Sequence, residues 1–248
     1  MRKTTLKIAA IISLVVAAKG IARSEAAPAP SAKADAGTAH GFLISIQHKP
    51  IGRMSYYLSP IGAKFVSPLV NMIVTPKEEG VILYANNKYA VYKDPRAVTR
   101  IMLGYAKVSK DSHSYKPWKK LERTKLKGMP CDHYVREMVD PPKNEREHKT
   151  STFSEHVWLV PMGDFKIPHA SKMFTPIVHA FEMELPAEGI PLQHASTWTV
   201  YEYGKVKHAD NVKSETCLVC EHVDVSKKDF MVPSSFKRVH SDTELMYG

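Results

Sequence analysis

Short runs of alternating apolar and polar residues recur along most of this chain, with turn residues between them. Phe42, Ile44 and Ile46 alternate with Leu43, Ser45 and Gln47, and Met54, Tyr56 and Leu58 share one face of the next run. Leu69 to Val74 is apolar on both faces, the mark of a strand covered on both sides. Val81–Tyr84 and Lys88–Tyr92 predict a hairpin across Asn86-Asn87, a pair that tolerates positive φ. Further runs fall at Cys131 to Val139, Phe153 to Val160, Ala195 to Tyr203, Leu218 to Val225 and Met231 to Val239. Many short strands and few helices predict an α+β, mostly β chain built on one large antiparallel sheet. A sheet of that size curls, and helices on its concave side then cover the apolar face.

Two stretches carry helical periodicity. Asp94 is a good N-cap, Pro95 suits the first turn, and Val98, Ile101, Met102 and Tyr105 follow at helical spacing. From Pro168 to Glu182, Met173, Phe174, Ile177, Val178 and Phe181 form one apolar stripe. Pro176 lies inside that stripe and must kink or split the helix, because it removes a backbone donor.

The N-terminus is organised differently. Arg2, Lys3 and Lys7 precede an apolar run from Ile8 to Ala18, and small residues cluster at Ala22, Ser24, Ala26 and Ala27. This is the pattern of a secretory signal, with cleavage expected after Ala26. The run falls short of the ~20 residues that span a bilayer. Residues 27–40 are rich in Ala and Pro and hold almost nothing large and apolar, so they are expected to be a disordered linker. Residues 41–248 then form a single domain, exported to the periplasm or beyond, soluble and monomeric. The formal charge of +10 drops to about +6 once the signal's five bases and one acid are removed. That balance favours an anionic surface and, in an exported chain, not nucleic acid.

Three cysteines, Cys131, Cys217 and Cys220, leave one thiol over in an oxidising compartment. Cys217-Leu-Val-Cys220 is a CxxC within a stretch that reads as a strand. Residues three apart on a regular strand point to opposite faces, so these thiols are not expected to converge. A bridge from Cys131 to either one stays open. The twelve histidines show neither His-x-His nor HExxH spacing. His208 with Asp210 and His222 with Asp224 are the nearest approaches to paired ligands, and neither has a clear third. No metal and no cofactor are expected. Nucleophile elbows, phosphate-cradling glycine loops and dinucleotide fingerprints are missing, so no catalytic residue is assigned and no enzyme is expected.

Residues 107–127 carry eight lysines and arginines against two acids, with Tyr115 and Trp118 interleaved. Lys116, Trp118, Lys119, Lys120 and Arg123 are candidate contacts for an anionic membrane surface. The alternative is a solvated hairpin.

Several phrases, in order, resemble the LolA/LolB-like group of exported half-barrel proteins. They are Tyr56-Tyr-Leu-Ser-Pro-Ile-Gly-Ala-Lys, Lys125-Leu-Lys-Gly-Met-Pro-Cys-Asp-His-Tyr, Glu155-His-Val-Trp-Leu, Gly189-Ile-Pro-Leu and Phe230-Met-Val-Pro-Ser-Ser-Phe-Lys-Arg-Val. Within that group the chain is nearest to an exported bacterial domain family of unknown function. The resemblance implies a curved antiparallel half-barrel of about ten strands covered by two or three helices. In the lipoprotein-carrier members, the space between sheet and helices holds acyl chains.

Two readings follow. In the first, the chain is an exported, non-enzymatic binding protein. It holds a lipid, a lipoprotein acyl chain or another apolar molecule against Val98, Ile101, Met102, Met173, Phe174, Ile177, Val178 and Phe181. Methionine suits such a surface because its side chain adapts in shape. In the second, it is a structural or protein-interaction module whose core is filled and takes no ligand.

Overall fold

A computed structural model describes residues 38–49, 52–68, 70–76, 81–93, 114–139, 141, 143–180 and 185–247. The expected signal and most of the expected linker lie outside these residues, as does the first expected helix with Val98, Ile101 and Met102. Residues 38–40, placed in the linker by the sequence reading, are strand and pair with 224–226.

The twelve strands among the described residues join one sheet. In chain order they are β1 (Thr38–His48), β2 (Gly52–Leu58), β3 (Ala63–Val66), β4 (Asn71–Val74), β5 (Val81–Ala85), β6 (Lys88–Tyr92), β7 (Lys119–Leu126), β8 (Met129–Glu137), β9 (Lys149–Pro161), β10 (Gly189–Glu202), β11 (Lys205–Ser226) and β12 (Lys237–Arg238). Two helices accompany them among the described residues, α1 (Ala170–Ala180) and α2 (Asp242–Tyr247). The sheet order is β12-β6-β5-β4-β3-β2-β1-β11-β10-β9-β8-β7. Strands β1 to β6 are therefore one meander and β7 to β11 another, zipped together where β1 pairs antiparallel with β11. The two-residue β12 closes the β6 edge in parallel. The strand count exceeds the ten implied by resemblance.

The sheet curls. One buried cluster gathers Val81 and Leu83 of β5, Ile44 and Ile46 of β1, Cys131 of β8 and Ile190 of β10. Laid flat, β5 and β8 would stand eight strand spacings apart, or about 38 Å. Helix α1 packs over β3 and β4 on this inner side, and it runs unsplit through Pro176. A second cluster forms on the opposite face from Ile73, Ile82, Tyr84, Val225 and Phe230. Phe230 sits at the end of a 3-10 turn, Lys227–Phe230, held by a capping box between Ser226 and Asp229. Met72 and Val74 join the inner cluster while Ile73 joins the outer one, which is why β4 reads as apolar on both faces.

Local chemistry accounts for the turns and irregularities. Asn86 and Asn87 take φ of 51° and 59° between β5 and β6, as the hairpin reading expects. At Gly189 a Cβ would sit 2.4 Å from the Val160 carbonyl oxygen, so only glycine lets β10 start this close to β9. Pro191 follows, and the β9–β10 register slips just after it, where a missing N–H would break a regular ladder.

The largest departure from expectation is β11, which starts at Lys205 and not near Leu218. Its first half pairs with β10 as an arm with much of both faces in solvent, so the segment shows no alternation. Tyr203 and Val206 stand exposed at its tip.

Candidate functional site

Helix α1 presents the predicted apolar stripe to the sheet. Met173, Phe174 and Ile177 are fully buried in the inner cluster, with Phe174 edge-on to Tyr56 at 5.5 Å between ring centroids. Tyr56 in turn touches Phe65 at 5.1 Å. Val178 falls within α1, but its side chain lies outside the described residues, as does all of Phe181. Four methionines, Met54, Met72, Met162 and Met173, belong to the same cluster. The seam between α1 and the sheet is therefore rich in flexible thioether side chains.

A polar relay crosses β8 to β11, and sequence reading did not single it out. The Arg136 guanidinium lies between two rings, 4.3 Å from the Tyr115 centroid and 4.4 Å from that of Trp118. Its Nε donates to Glu155 Oε2 at 2.5 Å. The other oxygen of Glu155 accepts from His194 Nε2 at 2.7 Å. His194 pairs with Glu215 across β10 and β11, and Glu215 pairs with His48 across β11 and β1.

The electrostatics follow from this arrangement. Burial alone would raise the Glu155 carboxyl, but its bonds to His194 and Arg136 outweigh burial and hold it below the ordinary value. Burial alone would lower His194, yet Glu155 and then Glu215 carry it above the usual imidazole value. Burial pushes Glu215 up, only partly opposed by His194. Burial and then the His194 charge push His48 down. With one oxygen on Arg136 and the other on His194, Glu155 acts as an internal counter-ion and is poorly placed as a general base. The signal in the sequence was the placement of Arg136, Glu155, His194 and Glu215 on strands with apolar neighbours.

A second polar group lies nearby. His133 stacks on Trp158 at 4.1 Å, and its Nε2 is 3.0 Å from His156 Nδ1, so one ring donates to the other. His156 Nε2 contacts Ser154 Oγ at 3.1 Å. Burial, and then the charges of His133 and His194, keep His156 below its ordinary value. Of the histidine pairs read from sequence, His208 contacts Asp210 at 2.8 Å on the surface. Asp224 instead takes His40 as its partner, and His222 lies against the Phe42 ring. Among the described residues, no three His, Cys, Asp or Glu side chains are grouped to hold a metal ion.

The basic stretch forms the edge strand β7 and its approach. Lys116 pairs with Glu137 at 2.8 Å, Lys120 with Asp132 at 2.6 Å and Arg123 with Asp164 at 2.5 Å. Lys119 is exposed, and Trp118 lies beneath Arg136. Internal acids thus neutralise much of the strip expected to meet an anionic surface.

No family model matches the chain, and no curated protein matches it. Among solved structures it is similar to the lipoprotein LppX of Mycobacterium tuberculosis, at 9% identity and a TM-score of 0.25. That match covers 71% of this chain and 90% of LppX.

Proposed function

We propose that this chain is an exported, non-enzymatic binding protein that takes an apolar chain, such as a lipid or the acyl group of a lipoprotein, between α1 and the curled sheet. The carrying observation is the seam itself. Helix α1 lies over β3 and β4 on the inner side of the sheet, and the buried cluster it joins includes its own Met173 with Met54, Met72 and Met162. Such side chains repack around a guest at low cost. In this state Met173, Phe174 and Ile177 occupy the seam, so entry requires α1 to lift. An acyl chain would regain the lost burial at about 25 cal/mol per Å². Among the described residues no helix is long and apolar enough to cross a membrane. The first residues carry the pattern of an export signal, and β7 with its approach offers exposed Lys119 to an anionic surface, beside Lys116 and Lys120, which are paired with Glu137 and Asp132.

The complete burial of Met173, Phe174 and Ile177 favours a second reading, an interaction module whose core admits nothing. Native mass spectrometry of residues 27–248, purified without detergent and then extracted, separates the two. Stoichiometric adducts that vanish on extraction support the binding reading. A clean apo mass, unchanged after incubation with fatty acids or phospholipid vesicles, overturns it.

A further inference from the structure

The CxxC lies at the junction of the two meanders, and β11 is not regular there. Ile46 pairs with Cys217 and Ser45 pairs with Val219, so the register slips and Leu218 has no partner on β1. Ile44 then pairs with Cys220. Ile44 and Ile46 are two residues apart, point to the same face and are completely buried. Directly opposed residues on antiparallel strands share a face. Cys217 therefore stands in a row with Ile46 and Met54, and Cys220 in a row with Ile44, Tyr56 and Phe65. The bulge overturns the expectation that the two thiols face apart. It turns Leu218 outward, 39% exposed, and both cysteines inward.

All three cysteines are free thiols in this structure, and the separation of Cys217 and Cys220 lies at the upper end of what a bridge spans. Three residues on β11 cover the length of two on β1, which sets the cysteine Cα atoms about 6.7 Å apart. Disulfides span about 4.4–6.8 Å between Cα atoms. Cys217 Sγ already points along the strand, contacting the Val219 carbonyl oxygen at 3.3 Å. Cys131 belongs to the same buried cluster and is near enough for Cys217 to act on it electrostatically, but its strand β8 is three places from β11, whereas Cys217 and Cys220 share one strand and one face.

We infer that Cys217 and Cys220 are a disulfide-forming pair, closed by thiol–disulfide exchange with a small or protein disulfide while the chain folds. One cysteine thiolate attacks a sulfur of the oxidant and releases one thiol. The second cysteine then attacks the mixed disulfide and releases the other. One S–S bond forms in the chain, and two electrons and two protons pass to the oxidant, which leaves as two thiols. Closure belongs to folding because burial suppresses both thiols in the finished sheet, driving Cys220 up to about 12 with help from Cys217 and Glu221. The bridge pins the bulge and with it the β1–β11 register that joins the meanders.

The test is oxidative refolding. Reduced, denatured chain is refolded in a mixture of oxidised and reduced glutathione, alkylated and digested with trypsin. Cys217 and Cys220 share the peptide 214–227, while Cys131 lies in 128–136. The expected result is loss of two hydrogens within 214–227 and an alkylated Cys131. The same bridge should form in a Cys131→Ser variant and disappear in Cys220→Ser. Cross-linked peptides containing Cys131, or three alkylated cysteines after refolding, overturn the inference.

Discussion

Arg136 and Glu155 face each other across β8 and β9 at 2.5 Å, with only 10% and 15% of their side chains exposed. A charged pair this dry stays ionised because each partner is held on its other side. Arg136 lies between Tyr115 and Trp118, and Glu155 accepts from His194. Removing one member therefore strands the rest.

Glu155→Gln keeps the shape of the side chain and removes its charge. Arg136 and His194 are then buried without their anion. The expected loss is about 3 kcal/mol of folding stability, the usual consequence of breaking one side of a buried pair. Urea denaturation at neutral pH measures it, and an unchanged midpoint would show that the relay adds nothing to stability.

The relay also sets a pH window. Glu155 is held low, so its stabilisation is complete above the ordinary carboxylate value and fades as pH falls through its folded value. His194 is held high, so its contribution is complete below about 6.5 and fades as pH rises through its folded value. The His194 contribution should therefore decline as the medium turns from mildly acidic to alkaline, while His48 and His156, held low, contribute the opposite trend. Urea midpoints taken between those limits should decline less in His194→Gln. Parallel profiles for the two proteins would remove His194 as the source.

Ile177→Ala should cost about 2–5 kcal/mol in the lipid-free protein, since Ile177 of α1 is fully buried in the inner cluster. If an apolar chain enters this seam, adding a fatty acid should raise the thermal midpoint of both proteins. A midpoint that no fatty acid moves would count for the filled-core module.

The β7 edge offers a separate test. Charge reversal at Lys116, Lys119 and Lys120 should lower retention on phosphatidylglycerol vesicles, and salt should weaken wild-type retention in the same way. Equal retention would leave the strip as a solvated edge strand whose cations serve Glu137 and Asp132.

Some of this architecture can be read directly from the residues. Asn86-Asn87 marks its hairpin because few other pairs accept two positive φ angles. Met173, Phe174 and Ile177 mark α1 because a helix with one buried face must repeat its apolar residues. The first half of β11 could not be read this way. It is held by main-chain pairing to β10, and backbone hydrogen bonds leave no periodic trace when side chains meet water on both faces.

Local pattern and backbone preference by themselves determined a mostly β chain, the Asn86-Asn87 hairpin and the buried Met173, Phe174 and Ile177 of α1. These features depend on neighbours in sequence, where steric limits and burial period act. Tertiary structure alone decided that the sheet has twelve strands, that β1 zips to β11, and that Arg136, Glu155 and His194 meet. It also decided which way Cys217 and Cys220 face. One slipped residue at Leu218 reverses a strand's facing, and that slip is set by the partner strand.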